Sequence, residues 1–349
     1  MRAESGAVHI NAESLYDSLP SEVRRSLSEI GITSVDYGQM SELDFGRVLE
    51  KMISMLNAGS HTAFLGMSVC MGIMVMCSMA EGFNETLGER KLKSVSNAVG
   101  TMCICTAIII PLCSTIERAV EVLNGVSGFM VLLVPIMAGL VISSGKEMTG
   151  TSYYTMMMTA GNAVSTVSAK LVSPLMNVFL ALTVTSSLSV KMNISSLCES
   201  VYKTAKWALT FIMGIFTAVL SLQTIMTSSM DNVSKKALRF AVSSFVPVVG
   251  GALGEALNTF NGSVELLKTG AGVFVIIAGG LIIMPVALEC IVWQFSMFVL
   301  SGAGDIMGLS EMTKIFRSIS KAVAVMTGLL FCALAVLVIS TGIILLTGR

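Results

Sequence analysis

The sequence predicts an all-α, polytopic membrane protein: a helical bundle with two internal repeats, each containing a short helix broken by proline and glycine. Three observations lead there. The 349 residues are 54% hydrophobic and only 13% charged, whereas a soluble domain carries about a quarter charged residues. The charges gather in short clusters between long uncharged runs. One proline-glycine landmark occurs twice, and other features recur at nearly the same offset.

Composition also excludes several classes. Lys plus Arg equals Asp plus Glu at 22 each, so no overall field would draw in nucleic acid. The eight cysteines lie mostly inside apolar stretches, without the paired spacing of a zinc site or the setting of a secreted disulfide framework. They read as free thiols packed in helices, and the 26 methionines fit the same adaptable apolar packing. The opening MRAESGAVHI has no apolar core of the kind a secretory signal needs.

Residues 1–60 form an acidic, amphipathic, helical region outside the membrane. Phe45, Val48, Leu49, Met52, Ile53 and Leu56 recur at three- and four-residue spacing after Ser41, whose hydroxyl is placed to cap the helix with Asp44 in its first turn. This stripe lies on the bilayer surface or against the bundle.

A spanning helix needs about 20 mostly apolar residues. Six uncharged runs meet that length: His61–Ala80, Ser94–Ile116, Leu171–Val190, Trp207–Met230, Thr269–Leu288 and Ala322–Gly348. The first two make up a pair of spans within residues 61–127. Phe129–Ile142 and Phe240–Gly254 are as apolar but short, each with a proline followed by glycine. Both read as half-helices, with spanning and re-entrant placements left open.

The two short segments align position by position: Val134-Pro135-Ile136-Met137-Ala138-Gly139 against Val246-Pro247-Val248-Val249-Gly250-Gly251, 112 residues apart. Pro174 follows Pro135 by 39 residues and Pro285 follows Pro247 by 38. Leu197-Cys198-Glu199 and Leu309-Ser310-Glu311 are again 112 apart. Two membrane repeats, 128–230 and 240–348, follow from these landmarks. With both short segments re-entrant, the basic clusters at Arg90, Lys203 and Lys314 share one side, the cytoplasmic one by charge bias.

No catalytic, cofactor-binding or metal site is legible. His9 and His61 have no second ligand at metal-binding spacing, and no nucleophile elbow, phosphate-binding glycine loop or carboxylate pair stands out. Gly250, Gly251 and Gly254 read as a helix-packing or kink motif. Pro135, Pro174, Pro247 and Pro285, with Gly139 beside the first, are candidate helix breaks that line a pore or simply pack. Each proline frees a carbonyl that must be satisfied within protein or water, so these prolines are expected to face the bundle interior or a cavity. Glu255 and Glu289 are the candidate membrane carboxylates. For Glu289, a role facing a cavity or partner and an interfacial position beside Trp293 both stay open.

The run Ser243-Ser244-Phe245-Val246-Pro247-Val248-Val249-Gly250-Gly251, its continuation to Gly270 and Ala271, the closing Ile315–Ile344 stretch and the Leu133-Val134-Pro135 segment resemble the stage III sporulation protein AE family. The resemblance implies a multi-pass, non-enzymatic subunit in the mother-cell membrane around the forespore. It would work in a secretion-like channel complex with other membrane proteins, or with further copies of itself, and serve late forespore development. It implies no cofactor. The competing expectation is a secondary transporter or ion permease built on the two repeats; an intramembrane enzyme ranks third.

Overall fold

The computed structural model describes residues 16–17, 19–33, 45–87, 90–143, 146–167, 199–208 and 250–346, with isolated positions between 170 and 214. Its six principal elements are all helices: α1 (Ser21–Ile30), α2 (Phe45–Leu87), α3 (Arg90–Ser143), α4 (Glu147–Val167), α5 (Gly250–Ile306) and α6 (Ser310–Leu346).

Helix α1 is short and amphipathic. Val23, Leu27 and Ile30 bury one stripe, the spacing of a single helical face. Gly31 stops it at φ 95°, a left-handed geometry open to glycine, and its N–H turns back to Ser28 while Ile32 N–H reaches Leu27 O at 2.9 Å. Tyr16, just before α1, sets its ring 6.4 Å from that of Phe274 on α5.

Four helices are long and apolar enough to cross a membrane, over Gly46–Phe83, Asn97–Ser143, Gly270–Ile306 and Ser310–Gly342. Together with the charge deficit this makes the chain a multi-pass membrane protein. Large apolar side chains cover much of the outside, including Val69, Met76, Met79 and Phe83 on α2 and Phe295 and Phe298 on α5. In water that surface would be costly; in hydrocarbon it is not.

Sequential helices pack as neighbours. Ser127 Oγ on α3 donates to Gly161 O on α4 at 3.0 Å, and Gln294 Nε2 on α5 donates to Thr327 Oγ1 on α6 at 2.7 Å. Glycines set the closest approaches. A Cβ on Gly100 of α3 would run into Cys77 of α2 and come within 2.7 Å of Met312 Cε on α6. The α2/α3 and α5/α6 connections therefore lie at the same end of the bundle. The second connection turns at Gly308, φ 74°, with Leu309 N–H bonded to Gly304 O at 2.9 Å.

Several expectations change. Phe129–Ile142 is no separate half-helix: it is the end of α3, which runs unbroken from Ser94–Ile116 through Glu117, Arg118 and Glu121 and past Pro135. A proline removes one hydrogen bond, whereas ending a helix in lipid leaves up to four carbonyls unpaired, so continuation is the less costly course. The Asn97–Ser143 stretch has 47 residues, about 70 Å at 1.5 Å per residue, more than twice a bilayer's hydrocarbon thickness. Gly250, Gly251 and Gly254 open the equally continuous α5. Most of the expected spans Leu171–Val190 and Trp207–Met230 lies outside the described residues, as do Ser41, Asp44 and Pro247. Residues 240–249 of the second repeat fall there too, with most of 168–198 and all of 215–230 of the first.

Candidate functional site

A buried polar contact joins α3 to α5. Pro111 interrupts the hydrogen-bond ladder of α3, and one turn later Thr115 is buried, followed on the next turn by Arg118. On α5, Pro285 is followed one turn later by Glu289. Glu289 is 3% exposed. Its Oε1 accepts from Arg118 Nη2 at 2.5 Å and from Thr115 Oγ1 at 2.8 Å, while Thr115 Oγ1 also lies 3.0 Å from Pro111 O. Each half of the contact thus stands one or two turns beyond a proline.

A buried carboxylate in an apolar helix is costly unless paired and hydrogen-bonded. Glu289 has both a cation and a hydroxyl. Arg118 is different: its side chain is 47% exposed, near the middle of a long apolar helix. The pair is therefore asymmetric, with a sheltered anion and a cation that borders the outside of the bundle.

Around it, Trp293 is fully buried one turn along α5 from Glu289. Its ring fills the space left by Gly66 on α2, whose Cβ would stand 3.1 Å from Trp293 Cη2. Glu289 and Trp293 are both packed inside the bundle, where glycine on the neighbouring helix makes room for the indole. Trp293 Nε1 and Ser296 Oγ, on the same stripe of α5, are buried without a protein hydrogen-bond partner. A second buried carboxylate, Glu81 on α2, accepts from Asn97 Nδ2 on α3 at 2.6 Å.

The described prolines differ in their surroundings. Pro135 and Gly139 are exposed, one turn apart on the face of α3 opposite Leu133, Val134, Met137 and Val141, which are buried. Pro174 is exposed and Pro285 half-buried. Glu255 lies in the first turns of α5, and its side chain is outside the described residues. Among the described residues, the named candidates Pro285 and Glu289 stand one turn apart at this contact. Sequence reasoning missed Pro111, Thr115 and Arg118. The available signal was a proline and an arginine seven residues apart, with the arginine between two strongly apolar runs.

The profile of the stage III sporulation protein AE family matches residues 32–348. The chain belongs to that family. Stage III sporulation protein AE of Bacillus subtilis (strain 168) is 20% identical over 201 residues, 58% of this chain and 50% of that protein. The matched stretch thus spans half the length of that relative. No solved structure matches the chain. Within the family assignment, the Thr115–Arg118–Glu289 contact is the strongest candidate for a functional feature of the membrane bundle.

Proposed function

We propose that this chain is an integral membrane subunit of a secretion-like channel complex that joins mother cell and forespore, resident in the mother-cell membrane around the forespore and needed for late forespore development. The family match over residues 32–348 carries this reading. The bundle is consistent with a subunit that works by assembly. Its outside is apolar, and Arg118 presents a half-exposed guanidinium with donors to spare for a partner. Other membrane proteins of the complex, or further copies of this chain, are the partners that would meet such a surface.

Deleting the gene tests the reading. Sporulation should stop after engulfment while vegetative growth continues, and the protein fused to a fluorescent tag should collect around the forespore. Heat-resistant spores at the parental frequency would reject it.

The buried pair at the α3/α5 crossing favours a second reading, transport of an ion or solute past Glu289. Paired intramembrane charges recur along substrate and proton paths. Protein reconstituted alone into vesicles should then move solute, with loss of flux in Glu289→Gln; inactivity across a broad panel of ions and small solutes would dismiss it.

A further inference from the structure

A groove of about 720 Å³ opens between the end of α5 and the start of α6. Its α5 side carries Phe298 and Ile306, 73% and 89% exposed. Its α6 side carries Arg317, Ser320 and Lys321. Apolar wall and cationic rim meet where the apolar run of α5 ends, at Asp305 and Ile306, and the charged first turns of α6 begin. By the chain's own composition this is a boundary between hydrocarbon and water.

We propose that this groove binds an anionic phospholipid, with the phosphodiester at Arg317 and Lys321 and the acyl chains leaving along Phe298 and Phe295, away from the α5/α6 turn. The two helices run antiparallel, with Gly304 against Thr313 and Gln294 against Thr327, so Lys321 stands about level with Phe298 and the exposed Phe295 lies about one turn deeper. Arg317 and Lys321 are one helical turn apart, so a single phosphate is within reach of both.

The rim is already partly neutralised. Asp305 pairs with Arg317 at 2.5 Å, Glu199 pairs with Lys321 at 2.5 Å, and Lys203 lies 3.9 Å from Glu199. Three cations face two carboxylates, a surplus of one positive charge, which is the charge one phosphodiester balances. Donors also remain: a guanidinium has five N–H groups and an ammonium three, and the two side chains are 61% and 41% exposed. Basic pockets between membrane helices at the headgroup level are suited to anionic lipids for this reason. A zwitterionic lipid, which carries its own cation, gains nothing from the surplus.

The test uses the purified full-length chain in detergent, incubated with equal amounts of phosphatidylglycerol and phosphatidylcholine and assayed for retained lipid by native mass spectrometry. The wild type should prefer phosphatidylglycerol by about tenfold, the scale of attraction expected from one or two basic residues at a membrane surface. Arg317→Gln/Lys321→Gln should bring the ratio close to one. Gly302→Leu supplies an arm that leaves every charge in place. Gly302 lines the groove and nothing lies within 4 Å of where its Cβ would be, so the added side chain occupies the groove without disturbing the packing, and retention of phosphatidylglycerol should fall. Equal retention of both lipids by the wild type would overturn the proposal. So would an unchanged preference in both variants, or displacement of the lipid by inorganic phosphate alone, which would mean that only an anion is recognised.

Discussion

Arg118 and Glu289 join α3 to α5 through an ion pair in which the carboxylate is 3% exposed and the guanidinium 47%. The asymmetry decides which truncation costs more. Arg118→Ala strands a buried anion beside the single hydroxyl of Thr115, a loss of about 3–5 kcal/mol by the usual cost of breaking a buried pair. Glu289→Ala leaves a cation that can swing outward to water or a headgroup, and should cost less. The double variant should be more stable than Arg118→Ala alone. Reversible unfolding in mixed micelles, run as a double-mutant cycle, reads all three. Equal losses for the two single variants would contradict the asymmetry.

Gly100 and Gly72 are both helical glycines with opposite surroundings. A Cβ at Gly100 meets Cys77 and Met312, whereas one at Gly72 meets nothing within 4 Å. Gly100→Val should destabilise the bundle by about 1–3 kcal/mol through overpacking. Gly72→Ala should be neutral or stabilise by up to about 1 kcal/mol, since alanine loses less backbone freedom in a helix. Thermal denaturation of the two proteins in one detergent gives the comparison.

The broad architecture was legible because it follows from solvation, which depends on composition: long uncharged runs predict apolar helices wherever they occur. What could not be read from the local sequence was the continuity of α3. Glu117, Arg118 and Glu121 look like the end of a span because their partner is invisible there. Arg118 is compensated by Glu289, 171 positions away in the chain, and Glu117 and Arg118 point to different sides of the helix. The packing of Trp293 was hidden for a related reason. A tryptophan near a carboxylate suggests the membrane interface, but the glycine that makes room for it inside, Gly66, is on another helix. Pro135 shows a third limit: a proline predicts a weakened ladder, not the direction in which the weak point faces.

The two tryptophans should report on the packing separately. Trp293 is fully buried, while Trp207 is 65% exposed and stacked on Phe211 at 5.1 Å. In Trp207→Phe the remaining emission should be blue-shifted and resistant to both iodide and lipid-borne quenchers. In Trp293→Phe it should be readily quenched by one or the other, and the identity of the effective quencher tells which medium Trp207 meets. Strong quenching of Trp293 from either side would contradict its place against Gly66.

The docking of α1 should depend on pH in the acid range. Lys51 on α2 donates to Glu29 at 2.5 Å, and that hydrogen bond, with the charge of Lys51 and then of Arg25, holds the Glu29 carboxyl below its ordinary value of 4.5. A carboxyl with a depressed folded-state value favours the docked form wherever it is ionised in both states. The contribution is therefore fully present above the ordinary value and is lost as pH falls through the depressed one. Both partners are at least partly exposed, so screening keeps the effect small. Hydrogen exchange of the α1 amides, corrected for intrinsic rates and compared between about pH 6 and about pH 3, should show α1 opening more often at the lower value. In Lys51→Met the larger causes of the depression are gone and only the smaller pull of Arg25 remains, so the pH dependence of α1 opening should weaken while Val23, Leu27 and Ile30 still hold the helix in place. A wild-type α1 whose protection is the same at both values would show that burial of this stripe, not the ion pair, sets its docking throughout.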